Sequence, residues 1–390
     1  MGLLDAGELI RLAEFLILTR RHLHAHPELS FREENTSAYI AAYLDSKNIP
    51  YTKGWAGHGI VATIAAPVST EQFIALRADM DALPITEAND VPYCSTNPGV
   101  MHACGHDVHM TCLIGAVEII HNRKHLLKND VKFIFQPGEE VLPGGASVLL
   151  NEGAIDPLKC KAIFGLHVLP SMEAGKVGFR GGAYMASADE IYLTVIGKGG
   201  HAAMPHDVID PILVASHIVS GLQSIVSRSN DPTSPAVLSI GKINSEGGAT
   251  NIIPDKVYLE GTFRAMNETW RFKAHDLIRQ CCESIARSFG ASIELKIITG
   301  YPVLINDEAL TGRAMAIASD MLGPDNVELL PVRMTSEDFA WYTQQIKACF
   351  FRLGTGNKSR GITSGVHTAT FDVDESCLVI GAQVLAAQCL

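Results

Sequence analysis

The 390-residue sequence predicts an α/β protein whose principal domain is interrupted by an inserted α+β unit of ferredoxin-like topology. Three observations predict it. Helical and strand periods of apolar residues alternate through the first part of the chain, the mark of a sheet covered by helices. Between residues 190 and 298 the order changes to strand, helix, strand, strand, helix, strand. From about residue 310 the first pattern resumes, and a lone His367 stands within it.

The elements follow in order. Residues 9–23 and 32–44 read as helices, and residues 60–64 and 73–78 as strands. Asp107 reads as the cap of a helix, because Met110, Leu113, Ile114 and Val117 fall at i, i+3, i+4 and i+7. Residues 131–135 form a strand stopped by the turn Gln136-Pro137-Gly138, and residues 162–166 form another that ends at His167. Ligand-type side chains thus fall just past strand ends, where α/β sheets place their sites. In the middle, residues 190–196 alternate as a half-buried strand that ends in Gly197-Lys198-Gly199-Gly200. A helix over 211–226, strands over 236–243 and 256–264, a helix over 269–289 and a strand over 292–298 complete the unit. If His367 shares a site with residues near position 104, this unit is an insertion. The expected domains are then 1–185 with 299–390, folding as one, and 186–298 inserted between them.

Composition excludes several classes of function. A chain that is 47% hydrophobic and 19% charged is an ordinary globular one, and a net charge of −11 argues against a nucleic-acid surface. No apolar run reaches membrane-spanning length, since residues 9–18 are broken by Arg11 and Glu14. The first residues lack the basic start, apolar stretch and cleavage site of a signal peptide. The nine cysteines are scattered, odd in number and without a framework, as expected of reduced thiols. A cytoplasmic protein with no nucleic-acid or membrane partner is the expectation.

The chemistry concentrates in Met101-His102-Ala103-Cys104-Gly105-His106-Asp107-Val108-His109, which holds a cysteine and three histidines within nine residues. Thiolate and imidazole bind divalent transition metals tightly. Cys104-Gly105-His106 sets two ligands on one side of an extended turn, and the helix start beyond it favours the thiolate. His102 and His109 read as groups behind the ligands or as surface residues. Glu139-Glu140, at a strand-to-turn junction, divides the labour: one carboxylate binds metal, and the other takes a proton as general base. The adjacent Glu337-Asp338 reads as the acidic first turn of a helix capped by Thr335 or Ser336.

Six motifs stand in order: Arg77-Ala78-Asp79-Met80-Asp81-Ala82-Leu83-Pro84, the run from Met101 to Asp107, Gln136-Pro137-Gly138-Glu139-Glu140, Gly165-Leu166-His167, Gly199-Gly200-His201-Ala202-Ala203 and Thr250-Asn251-Ile252-Ile253-Pro254. Together they closely resemble the M20 metallopeptidase family, in its amidohydrolase branch of aminoacylases, hippurate hydrolases and indole-acetyl-amino-acid hydrolases. The resemblance runs from about His22-Leu23-His24 through His367. It implies two divalent metal ions bridged by the Cys104 sulfur, with Cys104, His106, Glu140, His167 and His367 as ligands and Glu139 as general base. Zinc is the metal expected first, with manganese, nickel or cobalt also admitted. Where other members carry His-x-Asp, this chain has Asp79-Met80-Asp81, and Asp81 is expected to orient a ligating histidine.

In the inserted unit the resemblance implies a dimerisation (lid) domain. There His201 reaches a partner's site to hold the oxyanion, while Asn251 and Arg264 bind the substrate carboxylate. Hydrolysis of N-acyl amino acids is the activity implied, by a homodimer. A dipeptidase or carboxypeptidase of the same family is the near alternative. A catalytically silent scaffold is the distant one, disfavoured by the intact Glu139-Glu140 pair.

Overall fold

A computed structural model describes residues 3–68 and 71–390. In chain order it contains α1 (Ala6–Ala25), α2 (Glu34–Ser46), β1 (Tyr51–Trp55), β2 (Gly59–Ile64), β3 (Phe73–Asp79), α3 (His106–Asn122), β4 (Asp130–Gln136), α4 (Gly145–Glu152), β5 (Cys160–Glu173) and β6 (Val177–Phe179). There follow β7 (Asp189–Ile196), α5 (Pro211–Ser224), β8 (Ala236–Ser245), β9 (Lys256–Ala265), α6 (Glu268–Ser288) and β10 (Ser292–Thr299). The chain closes with α7 (Glu308–Leu322), β11 (Val327–Leu329), β12 (Ala348–Gly356) and α8 (Cys377–Ala387). These elements divide into two compact units. The larger comprises Met1–Gly182, Ile305–Pro331 and Asp338–Leu390; the smaller comprises Ala183–Leu304 and Val332–Glu337.

The larger unit is built on an eight-stranded sheet ordered β1-β2-β4-β3-β5-β12-β6-β11. Its middle is parallel, with β3 between β4 and β5, and β12 on the far side of β5. Parallel strands need both faces covered, and β3 accordingly is buried at every residue but Ile74. α3 lies within the core, with nearly every residue buried from His106 to Ile120, and it packs on α1 and α8. α1 begins with a capping box between Asp5 and Glu8 and buries Leu12, Leu16 and Leu23 on one face. The parallel strands point their carboxyl ends the same way, so Asp79 ends β3 level with Gln136 at the end of β4.

The smaller unit has the four-stranded order β8-β9-β7-β10, every pair antiparallel. With α5 and α6 this is the ferredoxin-like arrangement the sequence predicts. Its core packs Val214, Ile218 and Leu222 of α5 and Ala274, Ile278 and Cys282 of α6 against Ile191, Leu193 and Val195. The expected boundaries at 186 and 298 lie a few residues inside this unit, which also takes in residues 332–337.

Two local expectations change. β5 does not stop before His167 but runs on to Glu173, because β12 pairs alongside it from Ile163 onward. α3 is capped by Gly105 rather than by Asp107, which sits inside the first turn. All nine cysteines are unpaired, and among the described residues no helix is long and apolar enough to cross a membrane.

Candidate active site

Three stretches of the larger unit converge at the carboxyl ends of its parallel strands. Met101 and Leu83 exchange backbone hydrogen bonds, which sets Cys104 beside the segment that carries Asp81. Gly105 then turns the chain into α3 at φ +84°, and a Cβ there would stand 2.6 Å from a methyl of Val168. Glycine alone meets both demands. The Glu139-Glu140 turn follows β4, and His367 arrives from the last segment, its backbone N–H donating to the Ala103 carbonyl at 2.7 Å. His367 holds φ at +61°, a left-handed conformation costly for a side chain of this size.

The ring nitrogens sort themselves by their partners. His106 Nδ1 lies 2.8 Å from the Asp81 carbonyl and 3.2 Å from Asp81 Oδ1, so it donates. Its Nε2 is left buried and without a hydrogen-bond partner. His167 Nδ1 donates to the Val168 carbonyl at 2.8 Å, which leaves Nε2 facing Cys104 Sγ at 3.4 Å. His367 Nε2 lies 3.3 Å from the same sulfur and 3.4 Å from Glu140 Oε1. Glu140 Oε1 is a second buried atom with no hydrogen-bond partner. Two metal-competent groups result, Cys104 with His106 and His167, and Cys104 with Glu140 and His367. Glu139 joins His106 and Glu140 in a third.

Asp79, His106 and His109 also cluster, but His109 has nothing left to give a cation. Its Nε2 accepts the Val168 N–H at 3.0 Å, so its Nδ1 donates to Asp79 Oδ1 at 2.6 Å. Asp79 is tied besides to Arg77 at 2.6 Å. Asp81 accepts from Ser30 Oγ at 2.6 Å and from the Glu140 N–H at 2.9 Å, on the oxygen not turned to His106. One carboxylate thus braces a ring and a turn together.

The pocket is electronegative. Burial alone would hold His106 neutral, but Asp79 and the Cys104 sulfur raise its pKa well above the ordinary value. The Cys104 sulfur and the Glu140 carboxylate beside the ring push His367 up to about 10. Burial and the neighbouring Glu140 raise the Cys104 thiol, against the sequence expectation that the helix start favours the thiolate. The loss of water on burial disfavours the charged sulfur. His167 moves the other way: burial and the Arg352 charge lower it well below its usual value, keeping the ring neutral.

Sequence reasoning missed several residues. Glu337 and Asp338 are not the first turn of a helix capped by Thr335 or Ser336, since the next helix is the four-residue Ala340–Thr343, with Phe339 at its N-cap. Asp338 is buried, taking Arg77 at 2.6 Å, Gln136 at 2.7 Å and the Ala146 N–H at 2.9 Å, while its own N–H donates to Glu139 Oε1 at 3.3 Å. Burial pushes its carboxyl up to about 6, with Arg77 opposing. His102 and His109 are fully buried, not surface residues. Asp107 meets Arg20 at 2.8 Å and His24 at 2.7 Å, the counter-charge a buried guanidinium requires. The signal available was the pairing of charge with apolar context: Arg77 and Asp79 sit in a strand buried almost throughout.

In the smaller unit, exposed His201 lies on a two-residue strand paired with Ile252–Ile253, and exposed Asn251 immediately precedes Ile252. Arg264 is half-buried, and its guanidinium donates to Ser336 Oγ at 2.6 Å.

Comparison with known proteins gives consistent matches. The model of a family described as Peptidase family M20/M25/M40 matches residues 75–389. N-acetylcysteine deacetylase of Bacillus subtilis is 38% identical over 378 residues, 95% of this chain and 95% of that protein. Thermostable carboxypeptidase 2 of Saccharolobus solfataricus is 37% identical over 374 residues, 95% of this chain and 93% of the other. Among solved structures, the YXEP protein of Bacillus subtilis, described as a dinuclear metal binding peptidase from the M20 family, aligns with a TM-score of 0.83. It is 33% identical, over 97% of this chain and 98% of that one.

Proposed function

The chain belongs to peptidase family M20/M25/M40, in its amidohydrolase branch, and is a hydrolase of carbon–nitrogen bonds in linear amides; from that premise we propose that it cleaves N-acyl amino acids, acetylated and hippurate-like ones included, to a carboxylic acid and a free amino acid. The observation that carries this reading is the double membership of Cys104, one sulfur in two ligand groups. The residues present fit two divalent cations, which Cys104, His106, Glu140, His167 and His367 would hold. His106 Nε2 and Glu140 Oε1 are buried polar atoms that a cation would satisfy, and His167 already holds its ligating tautomer. Zinc suits the thiolate and imidazoles, while the carboxylate also admits manganese, nickel or cobalt. When bound, such ions polarise the amide carbonyl and lower the pKa of water at the site.

The chain's own residues do the rest. Glu139, held by the Asp338 N–H, takes the proton from the attacking water and returns it to the leaving amine. Asp81 fixes the His106 ring so that Nε2 faces the site. In a homodimer formed through the smaller unit, His201 of one copy serves the other copy's site by donating to the oxyanion. Arg264, its guanidinium oriented by Ser336, and Asn251 receive the free carboxylate of the substrate.

A carboxypeptidase reading is favoured by the likeness to Thermostable carboxypeptidase 2, and it asks the same chemistry of a peptide bond. Initial rates on hippurate, acetylated amino acids and dipeptides separate the two, after reconstitution with each divalent metal in turn. Faster turnover of N-acyl amino acids supports the proposal, and a preference for peptides replaces it with the alternative. A metal-loaded protein silent across the whole panel sinks both.

A further inference from the structure

One unbroken line of hydrogen bonds joins the proposed general base to the proposed ligand His167. Glu139 Oε1 accepts the Asp338 N–H at 3.3 Å, and Asp338 Oδ1 accepts Arg77 Nη2 at 2.6 Å. Arg77 Nη1 donates to Asp79 Oδ2 at 2.6 Å, and Asp79 Oδ1 accepts His109 Nδ1 at 2.6 Å. His109 Nε2 accepts the Val168 N–H at 3.0 Å, and the Val168 carbonyl accepts His167 Nδ1 at 2.8 Å. Arg77, Asp79, His109 and Asp338 are each at most 1% exposed. All belong to the larger unit.

We propose that Arg77 is a positioning residue that sets the carboxylate of Glu139 and the ring of His167 in register with one another. It sits at the middle of the line and uses its whole fork: Nη2 goes to Asp338, Nη1 to Asp79, and Nε to Gln136 Oε1 at 3.0 Å. A planar guanidinium makes these bonds in fixed directions, which an ammonium on a flexible stem does not. Asp338 also accepts the Ala146 N–H at the start of α4, and the Gly145 N–H just before it donates to the Gly138 carbonyl. Shifting Asp338 therefore shifts the turn that carries Glu139. Shifting Asp79 releases His109, and with it the backbone of Val168, whose N–H His109 holds and whose carbonyl holds His167. The strand end of β3 thus keeps base and ligand at one spacing, through intervening residues that are each at most 1% exposed.

The proposal rests on the roles given above to Glu139 and His167, and its test separates the two. Arg77→Lys keeps the charge and loses the fork. With Co(II) as the only added ligand, it is expected to bind the metal roughly 10–100-fold more weakly than wild type and to change the Co(II) absorption spectrum. On hippurate, kcat falls while KM stays close to wild type. A folded Arg77→Lys protein with wild-type Co(II) affinity and spectrum overturns the proposal. Co(II) binding needs no substrate, so an enzyme inactive on every amide removes the functional reading without touching this one.

If Arg77→Lys does not fold, the two ends of the line are cut separately as His109→Gln and Asp338→Asn, and then together. Coupling through Arg77 predicts a loss of Co(II) affinity in the double variant that departs at least about 3-fold from the product of the single losses. Losses that simply multiply show two independent props, and overturn the proposal.

Discussion

A buried ring nitrogen with no hydrogen-bond partner is costly, and His106 Nε2 is one, a few ångströms from a thiol and two carboxylates. Protons and cations compete for such a place. With the pKa values of His106 and His367 raised, metal binding must release protons, so affinity tightens as pH rises. Titration with Co(II) at pH 6 and pH 8 checks this, and equal affinities would contradict it. Glu139→Gln removes the base without removing a ligand; retained metal with turnover reduced roughly 10²–10⁴-fold is expected, and wild-type turnover would exclude the mechanism. Glu87 gives a separate test of residue energetics. Burial would raise its pKa, but hydrogen bonds from His24 and the Ser95 N–H bring it from 4.5 down to about 2. Its contribution to stability is therefore complete above pH 4.5 and lost toward pH 2. The gap in denaturant midpoint between wild type and Glu87→Gln should close over that interval; a gap that persists at pH 2 argues against the assignment. At this scale the sequence disclosed residues whose type declares them, such as Cys104 and the Glu139-Glu140 pair. Arg77, His109 and Asp338 were obscure, because their partners lie up to 261 positions away and nothing local marks them.

At the scale of elements, the site depends on turns more than on the strands they join. Gly105 stands at φ +84° against Val168, and Gly145 stands where a Cβ would fall 1.7 Å from the Pro137 carbonyl oxygen. Gly105→Ala meets both a forbidden conformation and a clash, a destabilisation of about 2 kcal/mol or more. A lowered Tm with reduced metal content would bear this out; an unchanged Tm would mean the α3 cap can relax. Periodicity revealed most strands and helices because each buries one face. It ended β5 too early, since the strand's further course is set by β12, which enters the sequence some 180 residues later. It also gave the cap of α3 to Asp107, because a carboxylate before a helical run looks like a cap until Arg20 is placed beside it.

At the scale of the molecule, the ferredoxin-like unit interrupts the larger one between Gly182 and Ile305, a layout that periodicity reveals only when the ligand-type residues on either side are read as one site. The proposed exchange of His201 between copies makes a sharp prediction. Glu139→Gln and His201→Ala proteins, each nearly inactive alone, should regain activity when mixed under conditions that let subunits exchange. Each hybrid then holds one site with both residues. No recovery, or a strict monomer on sizing, would remove His201 from the chemistry. A last consequence concerns time. Cys104 and His167 are both made before His367, the sulfur's other histidine neighbour, which follows only after another 200 residues. At about 5–20 residues per second, that interval lasts some tens of seconds. Through it the nascent chain carries a thiol with an incomplete set of neighbours, so no complete site exists until His367 has been made, and an oxidant or a stray metal finds Cys104 most vulnerable in that interval.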